Sequence, residues 1–500
     1  MGKYFELLKP YLDKSVAIDM ALSLLSFDLS TNAPKKAAVH TTKAMSLLAK
    51  ESYEAIINPK VKELIEECLK EELTDIEKAT VLEVTKIYDK LNKIPSDLYQ
   101  ANSELENQAQ IIWEEAREKA DFTLFSPYLK QIIDNQKKFI AYRESDELKG
   151  YDVLLNDYEP GFTTEILDRF FDSLKSEIVP LIKKTKDYNN LIDSSFLKKD
   201  YPIESQKEFS KWLAEYIGFD LSRGVISESA HPYTTSLHKY DVRFTTHYHK
   251  NKLDSSIYST IHEAGHGKYE QGISDELIGT IIGQGTSMGM HESQSRFFEN
   301  CIGRNRCFLE PVLVKLKSVF SDQLRDVNVI DLYRAVNCFT AGLIRIEADE
   351  LTYGLHIMIR YEIEKKIFNN QVEVEDLPAL WNQLYQDYLG VKPENDREGI
   401  LQDIHWSGGL FGYFPSYALG SVIAVQIYNH LKQIMPVEEM MLKGDFSKID
   451  NYLQKNIYQY GKMKTTQSIL KDMLGEDFDV SHYINYLKEK FYDVYEREEI

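Results

Sequence analysis

From Glu165 to Ile178 the sequence reads EILDRFFDSLKSEI, and Leu167, Phe170, Phe171, Leu174 and Ile178 recur at spacings of three and four. Side chains so spaced share one face of an α-helix, so this stretch predicts a helix with a single apolar stripe. SQKEFSKWLAEYIGFD (205–220) behaves the same way and stops at Gly218, a natural residue just past a helix end. The periodicity runs through much of 1–225 and returns from about 310 to 390. A chain of 500 residues has room for several domains. No repeat, low-complexity tract or Pro/Gly/Ser linker marks a boundary, so the pattern predicts one continuous, mainly α-helical body.

One region departs from that rule. VISESAHPYTTSLHKYDVRFTTHYH (225–249) is rich in Thr, Tyr, Val and Phe with turn residues between short runs, which predicts a small sheet of two or three strands. The expected organisation is a helical part over 1–225, the sheet over 226–250, further helices over 251–303 and a helical remainder over 304–500. Histidines crowd the middle: of 12 in the chain, His231, His238, His247, His249, His262, His266 and His291 fall between 231 and 291. GILQDIHWSGGLFGYFPSYALG (399–420) mixes glycines with aromatics and reads as a loop or broken helix.

Within the histidine-rich region stands Ile261-His262-Glu263-Ala264-Gly265-His266. Positions i and i+4 of a helix point the same way, so His262 and His266 can ligate one ion. Glu263 is rotated off that axis, placed to reach a water on the ion rather than the ion itself. Zinc lowers the pKa of such a water, and a carboxylate then takes its proton as the water attacks a carbonyl. The flanks suit a helix: Asp254 or Ser255 is the expected N-cap, and Ile257 and Ile261 supply the inward face. The plainer reading is two ordinary histidines on one helix face.

A catalytic zinc site needs a third protein ligand and one position left for water. MGMHESQSRFFENCIG (288–303) is a second helical segment that offers Glu292, with His291 and Glu299 as competitors. Gly279, Gly283, Gly285 and Gly289 predict a supple loop ahead of it.

Composition narrows the partners. With 59 basic and 79 acidic residues the net charge is −20, which repels phosphate backbones and anionic lipid, so neither nucleic acid nor membrane is an expected partner. The longest apolar stretches fall short of a membrane span. Four scattered cysteines read as thiols in a reducing compartment, and the N-terminal residues carry no secretory pattern, so the cytoplasm is expected.

Six stretches together make the chain similar to the carboxypeptidase Taq family, the M32 metallocarboxypeptidases. They are His231-Pro232-Tyr233, Asp241-Val-Arg243-Phe-Thr245, His262–His266, His291-Glu292-Ser293-Gln294, Ile344-Arg345-Ile-Glu-Ala348-Asp349 and Gly399-Ile-Leu-Gln402-Asp403-Ile-His405-Trp406, in the family's order. Tyr233 stands where the family has Phe and adds a hydroxyl that needs a partner. Phe27 stands where the family usually shows Trp. The resemblance implies Glu292 as third ligand, a helical saddle- or clam-shaped protein with the metal deep in a groove, and a homodimer. It implies release of single residues from peptide C-termini with broad specificity, on zinc that cobalt can replace.

A carboxypeptidase must hold a free terminal carboxylate, which suits a planar, permanently charged guanidinium. Arg243 and Arg345 are the candidates, and the alternative for each is a structural ion pair, with Asp241 and Asp349 respectively. Asp349 falls at i+4 from Arg345, the spacing of an intrahelical partner. His405 and Tyr413 are candidate oxyanion donors and Tyr417 a candidate substrate contact, against the alternative of aromatic packing. His231 and His291 are candidates for orienting a ligand carboxylate. His40, His356, His430 and His482 receive no role. A zinc oligopeptidase cutting internally is the nearest rival reading; a scaffold merely braced by metal leaves Glu263 without a purpose.

Overall fold

The computed structural model describes residues 2–188 and 192–496. It is mainly α-helical with one three-stranded sheet, the class that the periodicity predicts. The residues group into two compact units. The first comprises Met1–Leu91, Asp193–Val336 and Ala424–Phe478, and the second Asn92–Ile192, Asn337–Ile423 and Asp479–Ile500. Among the described residues no helix is long and apolar enough to cross a membrane.

In the first unit the helix Lys3–Thr31 packs on Ala38–Ile56 and Pro59–Cys68. Phe5, Leu8 and Leu12 cluster with Ile56, Val61, Leu64 and Ile65 out of water. Further on, the helix Ile203–Tyr216 ends at Gly218, whose φ is +94°. Phe219 N–H bonds to the Ala214 carbonyl and Gly218 N–H to that of Glu215, both at 2.9 Å, the double closure that a left-handed residue past a helix end permits. This turn delivers Phe219 edge-on against Phe244, with ring centroids 5.1 Å apart.

Phe244 belongs to the sheet, which has strands β1 (Gly224–Glu228), β2 (Thr234–His238) and β3 (Asp241–Thr246) in the order β1-β3-β2. β3 runs parallel to β1 and antiparallel to β2, so β2 is an edge strand. Val242 and Phe244 are buried, and the sheet packs on the helix Leu253–Gln271 that carries the His-Glu-Ala-Gly-His motif.

Ile257 and Ile261 are buried as expected, but neither Asp254 nor Ser255 is the N-cap. The helix already begins at Leu253 with Lys252 in the capping position, so Asp254 sits in the first turn, where its charge meets the positive helix end. Ser287 does cap the next helix, Met288–Arg296, accepting from the Met290 N–H at 3.1 Å. Gly265 lets the two helices meet: a Cβ there would lie 2.8 Å from the Gln294 carbonyl oxygen and the Ser295 Cα. Of the glycines between the helices, Gly279 stands in open space with a φ of +73°, whereas Gly283 and Gly285 are packing positions rather than points of suppleness. A Cβ at Gly283 would fall 2.3 Å from the Leu277 carbonyl oxygen, and one at Gly285 2.6 Å from the His291 ring.

In the second unit the predicted stripe Leu167, Phe170, Phe171, Leu174 and Ile178 is buried on the helix Thr164–Tyr188. It faces the helix Glu350–Phe368, which is buried almost all round, so the polar groups of that helix need internal partners. Glu364 accepts from the Tyr151 hydroxyl (2.5 Å), Trp406 Nε1 (2.7 Å) and Gly412 N–H (2.7 Å). Those bonds pin the glycine- and aromatic-rich stretch, which forms turns, a short 3-10 segment at His405–Gly408 and then the helix Pro415–Ile434. The helical periodicity expected from 310 to 390 lapses after Val336 and resumes only at Glu350.

Candidate metal centre

His262, His266 and Glu292 converge: one ligand atom from each lies within 4.8 Å of the others, in the one such group among the described residues. Glu292 Oε2 is 3.7 Å from His262 Nε2 and 3.4 Å from His266 Nε2. These gaps are long for good hydrogen bonds. The edge of a tetrahedron with bonds of about 2.0–2.1 Å is roughly 3.3–3.4 Å; the 3.4 Å gap matches it and the 3.7 Å gap is slightly wider.

The far nitrogen of each ring is held. His262 Nδ1 lies 2.8 Å from Glu299 Oε2, on a π-helical turn (Phe297–Gly303) that continues the Met288–Arg296 helix. His266 Nδ1 lies 2.6 Å from His291 Nδ1, and His291 Nε2 lies 2.9 Å from Glu270 Oε1. A carboxylate bonded to Nδ1 fixes the tautomer whose Nε2 lone pair is free for an ion.

Charge balance points the same way. Glu263, Glu270, Glu292 and Glu299 crowd the two helices, and Arg296 and Arg304 are the cations bonded to them. Arg296 donates to Glu292 Oε1 (2.7 Å) and Glu299 Oε2 (3.3 Å), and Arg304 donates to Glu299 Oε1 (3.1 Å). At full ionisation two negative charges remain in a buried place, which a divalent ion neutralises. Against burial, which would raise them, Arg296 and the histidine rings hold both Glu292 and Glu299 far below the usual carboxylate range. Burial pushes the His266 ring down to about 4, the neutral form that an ion requires. His262 is shifted upward: Glu292 and Glu299 outweigh burial there. The donor set, its locked rings and its excess negative charge all fit a divalent metal.

Glu263 is buried beside this group without joining it. The Thr234 hydroxyl of β2 lies 2.7 Å from its Oε2 and 2.9 Å from its main-chain oxygen. Burial raises the Glu263 carboxyl, and the His262 ring and the Thr234 bond offset that only in part.

In the second unit Asp403 serves two arginines. Its Oδ1 accepts from Arg345 Nε (3.0 Å) and Nη2 (2.8 Å), and its Oδ2 from Arg360 Nε at 2.7 Å. Arg345 is 6% exposed, with its guanidinium 5.0 Å from the Tyr417 ring centroid. His405 packs by Tyr413 (5.4 Å between centroids), and its Nε2 is 3.3 Å from the Tyr417 hydroxyl. Its Nδ1 is buried with no hydrogen-bond partner among the described residues. Burial, reinforced by Arg345 and Arg360 against Asp403, pushes this ring down to about 4.

The pattern of the carboxypeptidase Taq (M32) metallopeptidases matches residues 7–491. The chain belongs to that family. Carboxypeptidase 1 of Bacillus subtilis (strain 168) is 42% identical over 496 residues, covering 99% of this chain and 98% of the relative. Thermostable carboxypeptidase 1 of Thermus thermophilus is 34% identical, covering 95% of each. The crystal structure of the M32 carboxypeptidase from Deinococcus radiodurans R1 superposes with a TM-score of 0.95 at 30% identity, covering 99% of this chain and all of that one.

Within this M32 chain several expectations need correction. Arg345 does not pair with Asp349 along a helix, because Arg345–Glu347 is a 3-10 turn and the helix starts only at Glu350. Asp349 instead caps that helix, accepting from the Thr352 N–H (2.9 Å) and also from the Thr340 N–H (2.8 Å), and burial raises its carboxyl to about 6. His291 bonds the His266 ring rather than a ligand carboxylate, and Glu299 backs His262 rather than joining the donor set. His231 is exposed, and its ring makes no hydrogen bond among the described residues; its carbonyl accepts from Ser229. Arg243 and Asp241 do form the ion pair, with two bonds of 2.7 Å. The hydroxyl that Tyr233 adds finds Ser30, and its ring meets Phe27 edge-on at 6.2 Å.

Glu270, Thr234, Arg296 and Arg360 were not singled out in the sequence. Glu270 had a signal: His262, His266 and Glu270 form an i, i+4, i+8 stripe on one helix face. Arg296 stands at i+4 from Glu292. Thr234 and Arg360 depend on contacts between segments distant in sequence, which no local spacing reveals.

Proposed function

We propose that this M32 protein removes single amino acids from the C-termini of peptides, with broad specificity, on a zinc ion held by His262, His266 and Glu292 and replaceable by cobalt. One observation carries the reading: three donor atoms converge, both rings are locked from behind, and Glu263 stands alongside outside the donor set. A divalent ion bound there lowers the pKa of a water molecule and polarises the peptide carbonyl.

The chain's own residues supply the rest. Glu263 takes the proton of the attacking water and delivers it to the leaving nitrogen; its raised pKa suits both halves of that transfer. Thr234 keeps the carboxylate aimed. Arg345 holds the terminal carboxylate of the substrate. Two guanidiniums sharing Asp403 leave one positive charge in excess, whereas Arg243 is matched by Asp241 and is the weaker candidate. His405 donates to the oxyanion as it forms, and Tyr413 and Tyr417 frame that group. A homodimer, expected from the family likeness, and a cytoplasmic place, expected from four scattered cysteines, complete the reading.

Replacing Glu263 tests it. Glu263→Gln keeps one ion per chain by elemental analysis and lowers release of C-terminal residues by about 10³-fold or more. Unchanged turnover refutes the assigned base.

A further inference from the structure

Thr234 touches Glu263 on one side and lines a cleft on the other. The cleft has a volume of about 580 Å³ and lies between the helices Lys3–Thr31 and Ala38–Ile56 and strand β2. The first helix presents Leu22, Ser23 and Ser26, and the second Thr42, Met45, Ser46 and Ala49. Tyr233, Thr234 and Thr235 form the third wall. Every wall belongs to the first unit.

The lining has one chemical character: hydroxyls interleaved with small or apolar side chains, with no charged group among the described residues that line it. Hydroxyls donate and accept, so they suit peptide N–H and C=O groups equally. A volume of this size accommodates a short peptide segment. A surface without a cation is the wrong place for a terminal carboxylate.

We propose that this cleft binds the part of the peptide upstream of the scissile bond, and that it selects uncharged residues there. The assignment rests on the carboxypeptidase reading and extends it. Thr234 is the link, because the wall that borders the cleft also borders the carboxylate next to the scissile bond. Ser46 and Ala49 stand on the opposite wall, with the Ser46 hydroxyl bonded back to the Thr42 carbonyl at 3.0 Å. Exchanging either side chain alters the cleft without touching the metal donors or Glu263.

The experiment uses the metal-loaded enzyme and N-acetylated peptides that share the last two residues, Ala-Phe, and carry Leu, Asp or Lys immediately upstream. The unmodified protein is expected to release Phe from the Leu peptide with a kcat/KM about tenfold above that for the Asp and Lys peptides, since a charge entering an uncharged cleft loses solvation. Ser46→Asp is expected to shift the Lys-to-Leu preference about tenfold toward Lys. Ala49→Phe, which fills the cleft, is expected to raise KM for these peptides while leaving acetyl-Ala-Phe unchanged. Equal rates across the series, together with variants that leave every ratio where it was, overturn the proposal. Failure of the unmodified protein to release Phe from any peptide is a separate result: it removes the carboxypeptidase reading and the proposal with it.

Discussion

The Nδ1 atoms of His266 and His291 face each other at 2.6 Å, and Glu270 meets the other nitrogen of His291 at 2.9 Å. A carboxylate only accepts, so His291 carries its proton on Nε2 and turns the Nδ1 lone pair toward His266. His266 must then donate from Nδ1, which leaves its Nε2 lone pair facing Glu292. Three residues thus set one tautomer. Glu299 does the same for His262 in a single step.

Glu270→Ala is therefore expected to weaken divalent-metal binding about 10–100-fold, measured by competition with a chelating dye. Glu270→Gln keeps an acceptor oxygen and is expected to lose less. An affinity unchanged in Glu270→Ala contradicts the relay.

Arg345→Lys keeps the charge and loses the planar fork. With peptides bearing a free C-terminus, kcat/KM is expected to fall about 10²-fold, chiefly through KM, with metal content intact. A matching peptide with a C-terminal amide should be a poor substrate for the unmodified protein and no poorer for the variant. Efficient internal cleavage of that amide by the unmodified protein rules out exopeptidase action.

His405 links acidity to stability. Burial holds its pKa at about 4, below the 6.5 of a free imidazole. Between those values the unfolded chain binds a proton that the folded chain does not, so stability is lost as pH falls from about 6.5 toward 4. The full effect is about 3 kcal/mol. Urea unfolding at pH 7 and pH 4.5 should show a smaller difference for His405→Asn than for the unmodified protein.

Much of this was legible before the structure. The apolar stripe from Leu167 to Ile178 is buried, the sheet falls where β-branched and aromatic residues gather, and the two histidines and Glu292 meet. Periodicity and i+4 geometry are local rules, and these features obey local rules. The partner of Arg345 was not legible, because i+4 spacing assumes a helix that does not begin until Glu350; the acid it meets is Asp403. Nor were the packed glycines. Gly285 is small because the His291 ring lies against it, and a glycine in a sequence does not reveal what crowds it.

The most direct test of the account is to strip the protein with a chelator, titrate zinc back, and follow ion binding and C-terminal residue release in the same samples. The account predicts that stripped protein is inactive, that activity returns in step with one ion bound per chain, and that Glu292→Gln loses both together. Full activity in stripped protein, or undiminished zinc affinity in Glu292→Gln, contradicts it.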